Sequence, residues 1–247
     1  MMNLPKVQPP WTGSGKRLES MLRKALYDFK MLEGLSKVGV ALSGGKDSLC
    51  LLYLLKAISG RGIQNLEIHA FHVNGEFSCG SGVNQDYLQG ICDQLDVNLI
   101  VKESTQKLET LECYSCSRER RRLIFDAAKS VGVETIAFGH HRDDSAQTVL
   151  MNLLHKGEFA GNLPNLKMRE YGVTIIRPLI YVSENEIRTF AQQYGFARIM
   201  CRCPVGQTSM RKQVDTLLSE MEALFPNARE NIARSALLYG SDKANTP

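Results

Sequence analysis

The chain has 247 residues, 43% hydrophobic and 23% charged, which suffices for a full buried core without disulfide or metal staples. Its formal net charge of +4 is too modest to demand a nucleic-acid partner and does not exclude one. No run approaches the roughly 18 apolar residues of a membrane span, and the opening MMNLPKVQPPWTGSGKR lacks a leader-type apolar stretch, so a cytoplasmic protein with no membrane partner is expected.

Residues through Gly15 are rich in proline and glycine and read as an extended arm, assigned to 1–17. Leu18, Leu22, Ala25, Leu26 and Phe29 then recur at helical spacing within Leu18 to Leu32. Val38 to Leu42 reads as a buried strand, and Ser48 to Ile58 as a helix. The alternation continues with a strand at Leu66 to Val73, a helix at Gln85 to Leu95, and a strand at Val97 to Val101. A helix is expected over Arg118 to Val131, a strand over Thr135 to Phe138, and a helix over Ser145 to Leu154. Thr174 to Ile176 reads as a last strand, followed by Arg177-Pro178-Leu179 and a helix near Ser183, where Ser183 and Glu186 match a capping box. From Thr208 the chain is helical and polar, with a tail after Gly240. The boundaries that follow are a main domain over 18–218 and a C-terminal helical segment and tail over 219–247.

Such alternation predicts an α/β fold, a parallel sheet covered by helices on both faces. Ligands of these sheets bind at the carboxyl ends of strands, where the strand order reverses. Three expected strand ends carry polar residues: SGGKDS, FHVN at Phe71 to Asn74, and FGHHRDD at Phe138 to Asp144.

In SGGKDS, Gly44 and Gly45 allow a tight turn, and the helix restarting at Ser48 can aim backbone N–H groups and its positive dipole end at an anion. Lys46 adds a positive charge, Ser43 and Ser48 hydroxyl donors, and Asp47 a hard oxygen ligand for magnesium. The spacing is not that of the Walker loop, whose glycines are separated by four residues. The hexamer resembles the PP-loop of ATP pyrophosphatases, enzymes that split ATP between the α and β phosphates. The resemblance implies an adenine nucleotide alpha hydrolase-like fold, ATP phosphates on Ser43 to Ser48, and AMP and pyrophosphate as products.

GHHRDDSAQT, from Gly139 to Thr148, resembles the second signature of that branch, GHxxDDxxET, which implies nucleotide contact at Gly139 and magnesium on Asp144 together with Asp47. Alone, Asp143 and Asp144 would read as helix caps. Gln147 stands where the pattern has glutamate, which weakens a metal role there. His72, beside Val73 and Asn74, matches a strand-end position under the adenosine. His140 and His141 read equally well as polar filler or as nucleotide contacts.

The seven cysteines form an odd set for a disulfide framework. Cys50 and Cys92 sit in apolar helical patterns and read as core, and Cys79 in FSCGSG stays open. Cys113 and Cys116 are three residues apart in ECYSCSRERRR, and Cys201 and Cys203 follow far downstream in MCRCPVGQTSMRKQ. Soft thiolates of this kind select zinc or iron–sulfur clusters.

The combination of the PP-loop, the CxxC followed by SRERR and the later cysteines before a basic helix resembles the tRNA 2-thiocytidine synthetase family, from about Leu18 to about Leu218. The resemblance implies an ATP-dependent sulfurtransferase that adenylates the C2 oxygen of a cytidine in the tRNA anticodon loop and replaces it with sulfur. It implies a 4Fe-4S cluster on Cys113, Cys116 and a third cysteine, with Lys46, Asp47, Cys113 and Cys203 carrying the chemistry. Here CRCPVGQ replaces the family's CxxCGSQ; counting back from Arg211 to Gln213 favours Cys203, with Cys201 as the alternative. A sulfur donor such as a cysteine desulfurase and a homodimer are further implications. The rival readings are a tRNA lysidine synthetase-like ligase, which needs no cysteines, and a zinc-stapled RNA-binding protein with an inactive ATP site. Arg118, Arg120, Arg121 and Arg122 read either as a solvated helix face or as contacts to RNA phosphates.

Overall fold

The computed structural model describes residues 4–75, 84–106, 113–196 and 210–239. Cys79, Cys201 and Cys203 lie outside these residues. Six strands form one sheet: β1 (Lys37–Ala41), β2 (Glu67–Asn74), β3 (Asn98–Glu103), β4 (Thr135–Ala137), β5 (Asn165–Met168) and β6 (Val173–Ile176), in the order β3-β2-β1-β4-β6-β5. All neighbours are parallel except β5, which pairs antiparallel with β6. The expected α/β sheet is thus present, with β5 as an edge strand absent from the sequence reading.

Helices α1 (Gly13–Asp28), α2 (Lys46–Ile58), α3 (Gln85–Gln94) and α6 (Glu184–Gln193) share one apolar core with the sheet face bearing Val38, Val40, Ile68 and Ala70. Helix α4 (Cys113–Ser130) covers the other face through Ile124, Phe125 and Ala128, against Phe71, Val73 and Ile136. This two-sided cover follows from strands whose residues are buried in both directions: Phe71 and Ala70, successive on β2, enter opposite cores. Helix α2 is buried nearly all round, with every residue from Ser48 to Leu55 enclosed. Helices α5 (Arg142–Lys156), α7 (Met210–Leu224) and α8 (Ala228–Tyr239) build a separate apolar cluster from Ala146, Leu150, Val214, Leu218 and Ala233.

Several boundaries differ from the sequence expectation. Helix α1 begins at Gly13, inside the segment read as an arm, and Val7 and Trp11 before it are buried. Trp11 sets its indole edge-on to Phe190 and Tyr194 at 5.5 and 5.8 Å, docking the segment on α6. Helix α4 starts at Cys113 and α5 at Arg142, earlier than Arg118 and Ser145. The Ser183–Glu186 capping box of α6 is formed as expected.

Strand order reverses between β1 and β4: the chain runs outward from β1 through β2 to β3, then returns to place β4 on the other side of β1. The loops after β1 and β4 therefore open a crevice between them.

Candidate active site

That crevice is a cavity of about 460 Å³. Its wall includes Ser43, Asp47 and Ser48 from the loop after β1, Gly139, His140 and Asp144 from the loop after β4, and Arg177 from the end of β6. Helix α4 contributes Ser117, Arg120 and Arg121, and α7 contributes Arg211. The first two motifs and the helix opened by Cys113 thus meet at one site.

The loop after β1 is held by its own hydroxyls. Ser48 Oγ donates to the Gly45 carbonyl at 3.0 Å and accepts from the Ser43 N–H at 3.2 Å, and Ser43 Oγ accepts from the Gly45 N–H at 3.3 Å. Gly44 takes φ 82°, a conformation that only glycine adopts without strain. The N-cap of α2 is Gly45, which has no side chain to satisfy the first-turn N–H groups. Together with the dipole, these groups suit an anion.

Lys46 is tied to Asp47 at 3.1 Å and to Glu184 of α6 at 3.0 Å. Burial disfavours its charge, but the two carboxylates prevail and its pKa is raised. Asp47 Oδ1 is buried and has no hydrogen bond of acceptable geometry among the described residues, so it retains capacity for another cation.

The loop after β4 packs on this turn. A Cβ on Gly139 would lie 3.0 Å from Asp47 C and Ser48 N, so glycine permits the contact. His141 is the N-cap of α5 in a reciprocal arrangement: Asp144 Oδ2 accepts from the His141 N–H at 3.1 Å, and His141 Nδ1 accepts from the Asp144 N–H at 3.4 Å. Its Nε2 stands 3.8 Å from Asp47 Oδ1 and 3.4 Å from Asp144 Oδ2, between the two carboxylates. Asp144 Oδ1 pairs with Arg211 at 3.1 Å. Burial would raise the Asp144 pKa, but His141, His140 and Arg211 hold it low.

His140 stacks on Phe138, and its Nδ1 accepts from Arg177 Nε at 3.3 Å. Burial, then the Arg177 charge, push its pKa down. His72 is buried and donates from Nδ1 to the Leu42 carbonyl at 2.8 Å, holding the strand end that precedes Ser43 from behind; its Nε2 has no partner among the described residues. Burial lowers its pKa.

Asp143 faces away from the cavity. Its Oδ2 accepts from the Glu184 N–H at 2.7 Å, and Arg229 of α8 lies 3.5 Å from Oδ1. Gln147 donates from Nε2 to Asp215 of α7 at 2.9 Å, and Asp215 pairs with Arg229 at 2.6 Å. The amide at position 147 therefore acts as a donor to a carboxylate.

Cys116 is buried in the first turn of α4, one turn after Cys113. Cys203 and Cys201 lie outside the described residues, so the third member of the cysteine set is not located. Among the described residues, no three His, Cys, Asp or Glu side chains are grouped to hold a metal. Arg177, Arg211 and Glu184 are contributors the sequence reading did not place at this site. The RPL run after the last strand marked the first of them, and Arg211 stood out only as the start of the basic stretch to Gln213.

A family model described as a PP-loop domain matches residues 15–199. The chain is 34% identical over 232 residues to a tRNA-cytidine(32) 2-sulfurtransferase of Xylella fastidiosa (strain M12), spanning 89% of this chain and 76% of the relative. The corresponding protein of Coxiella burnetii (strain CbuG_Q212) is 34% identical over 230 residues, spanning 89% and 88%. The solved structure of the U34-tRNA thiolase NcsA from Methanococcus maripaludis with its 4Fe-4S cluster aligns with TM-score 0.72 at 25% identity, covering 90% of this chain and 77% of that one. With a PP-loop after β1, its partner motif after β4 and this extent of identity, the chain belongs to the tRNA-cytidine 2-sulfurtransferase family of PP-loop proteins.

Proposed function

We propose that this tRNA sulfurtransferase adenylates the C2 oxygen of a cytidine in the tRNA anticodon loop and replaces that oxygen with sulfur. The observation that carries the reading is the cavity itself, which joins the turn after β1, Asp144 and the first turns of α4, beside the buried Cys116. Its charge supports an anionic occupant: it is lined by four arginines and two aspartates, and both aspartates already face cations within the protein.

ATP fits with its phosphates on Ser43 to Ser48, where the uncapped α2 terminus faces them. Asp47 and Asp144 would share magnesium with those phosphates, as this ion commonly takes one or two carboxylates and completes its shell with phosphate and water. The target cytosine must leave its stack to reach the cavity. Its O2 bonds to the α phosphorus as the bond to pyrophosphate breaks, which turns a poor leaving group into a good one. Lys46 and the arginines act electrostatically, and removing one such contact typically costs ~10²-fold in rate. A 4Fe-4S cluster on Cys113, Cys116 and Cys203 would supply a soft site able to carry the incoming sulfur. A cysteine desulfurase is the expected source of that sulfur, and the cytoplasm the expected location. Exposed Leu224 and Phe225 at the end of α7 and Leu238 and Tyr239 at the end of α8 support a second copy as partner.

The test is nucleoside mass analysis of tRNA incubated anaerobically with the reconstituted protein, ATP and sulfide, alongside Cys116→Ser. Wild-type protein is expected to yield 2-thiocytidine with AMP and pyrophosphate, and the variant none. Loss of no thionucleoside in Cys116→Ser would turn the reading toward a cysteine-independent ligase, and zinc without AMP release would turn it toward an RNA-binding protein.

A further inference from the structure

Arg177 is buried at 7% exposure, lines the cavity, and makes no ion pair among the described residues. Its guanidinium donates from Nε to His140 Nδ1 at 3.3 Å and from Nη1 to the Leu163 carbonyl, both neutral acceptors. Asp144, whose charge favours the Arg177 cation, is itself engaged by Arg211. Burial, then nearby Arg121, lower the Arg177 pKa to about 10, which leaves it a cation at neutral pH. Arg120, which also lines the cavity, has a buried Nε with no hydrogen-bond partner among the described residues. A buried guanidinium without a counter-charge is costly, and removing its partner strongly destabilises a folded protein. It persists readily where a ligand completes the pair. Arg177 directly follows β6, two strands along the sheet from the turn after β1 that suits an anion. An anionic group held by Arg177 is therefore offset along the sheet from one held by that turn.

We infer that Arg177 is the counter-charge for the phosphate of the nucleoside monophosphate that remains on the base after pyrophosphate leaves, and that it holds this phosphate as it departs. The inference rests on the adenylation proposed above. In the departing step, sulfur at the sulfide level gives an electron pair to C2, the C2–O bond breaks, and its electrons pass to the phosphate oxygen. No net oxidation or reduction occurs, and the new negative charge falls on the group that Arg177 faces. The Leu163 and His140 acceptors fix the guanidinium plane in advance, so little ordering is left for the moment of reaction.

The test compares AMP and adenosine binding by calorimetry in wild-type protein, Arg177→Met and Arg177→Lys. AMP affinity is expected to fall about tenfold or more in Arg177→Met, with adenosine affinity unchanged, and to recover in large part in Arg177→Lys. Single-turnover pyrophosphate release should slow less than thiolation. Arg177→Gln, which can still donate to the Leu163 carbonyl, gives the same reading if the methionine variant does not fold. Unchanged AMP affinity, or equal loss of AMP and adenosine, would overturn the assignment. Failure of wild-type protein to bind ATP or release pyrophosphate would instead overturn the adenylation on which it rests.

Discussion

Gly139→Ala isolates the contact between the two loops of the active site. An added Cβ would sit 3.0 Å from Asp47 C, 3.0 Å from Ser48 N and 3.1 Å from Asp47 O. All three are backbone atoms, so no side chain can rotate aside. Gly139 is not in the left-handed region, so alanine adopts its φ without strain and the cost is contact alone. Relief requires the first turn of α2, which is buried from Ser48 onward, to move by a few tenths of an ångström. Overpacking of this kind costs about 1–3 kcal/mol. At ~2–4 °C per kcal/mol for a chain of this size, Tm should fall by roughly 2–12 °C. The same displacement carries Asp47 and Ser48, and misplacement on this scale lowers turnover by about 10- to 100-fold. The assay is ATP-dependent pyrophosphate release with saturating tRNA, resolved into kcat and KM, beside thermal unfolding. Wild-type ATP kinetics at wild-type Tm would refute the argument that the β4 loop fixes the phosphate turn.

Gln147→Glu should set a carboxylate against Asp215 where the amide now donates at 2.9 Å, costing about 1–3 kcal/mol at pH 7 by urea denaturation. At pH 4 the loss should shrink as the new acid protonates and can donate; an equal loss at both pH values would contradict the donor role. The pKa values of Asp144, Glu184, Glu186 and Asp215 are lowered: burial alone would raise each, but histidine, lysine, arginine, amide or hydroxyl partners overcome it. Their stabilisation is complete above the unfolded values of 3.8 for Asp and 4.5 for Glu, and is lost as pH falls through the lower folded values. Urea midpoints should hold from pH 7 to 5 and drop steeply toward pH 3, and a flat profile over that range would count against these pairings.

Much of the sheet was legible because β1, β2 and β4 are apolar runs that end in glycine or polar motifs, and their ends define the site. The ends of elements were less so. CYSCSRERRR has no apolar periodicity, so the first turn of α4 was hidden, and His141 is an uncommon cap residue that concealed the start of α5. β5 is four residues long and pairs antiparallel at an edge, which leaves too little alternation to detect. Within the site, Ser43, Asp47, Gly139 and Asp144 were readable from strand-end motifs. Arg177 and Arg211 reach the cavity, and Glu184 reaches Lys46, only through tertiary contacts from the residue after β6, α7 and α6, and no local pattern announces such partners. Asp143 and Asp144 look equivalent in sequence, yet Asp144 faces the cavity while Asp143 turns away to accept from the Glu184 N–H of α6.

Arg229 gives that last distinction a longer reach. It touches Asp143, Asp143 accepts from the N–H of Glu184, and the Glu184 carboxylate grips Lys46 beside the phosphate turn. Three contacts in series therefore connect the final helix to the lysine of the first motif. Helix α8 acts as a remote brace for the nucleotide site, and trimming it would slacken a residue more than half the sequence away.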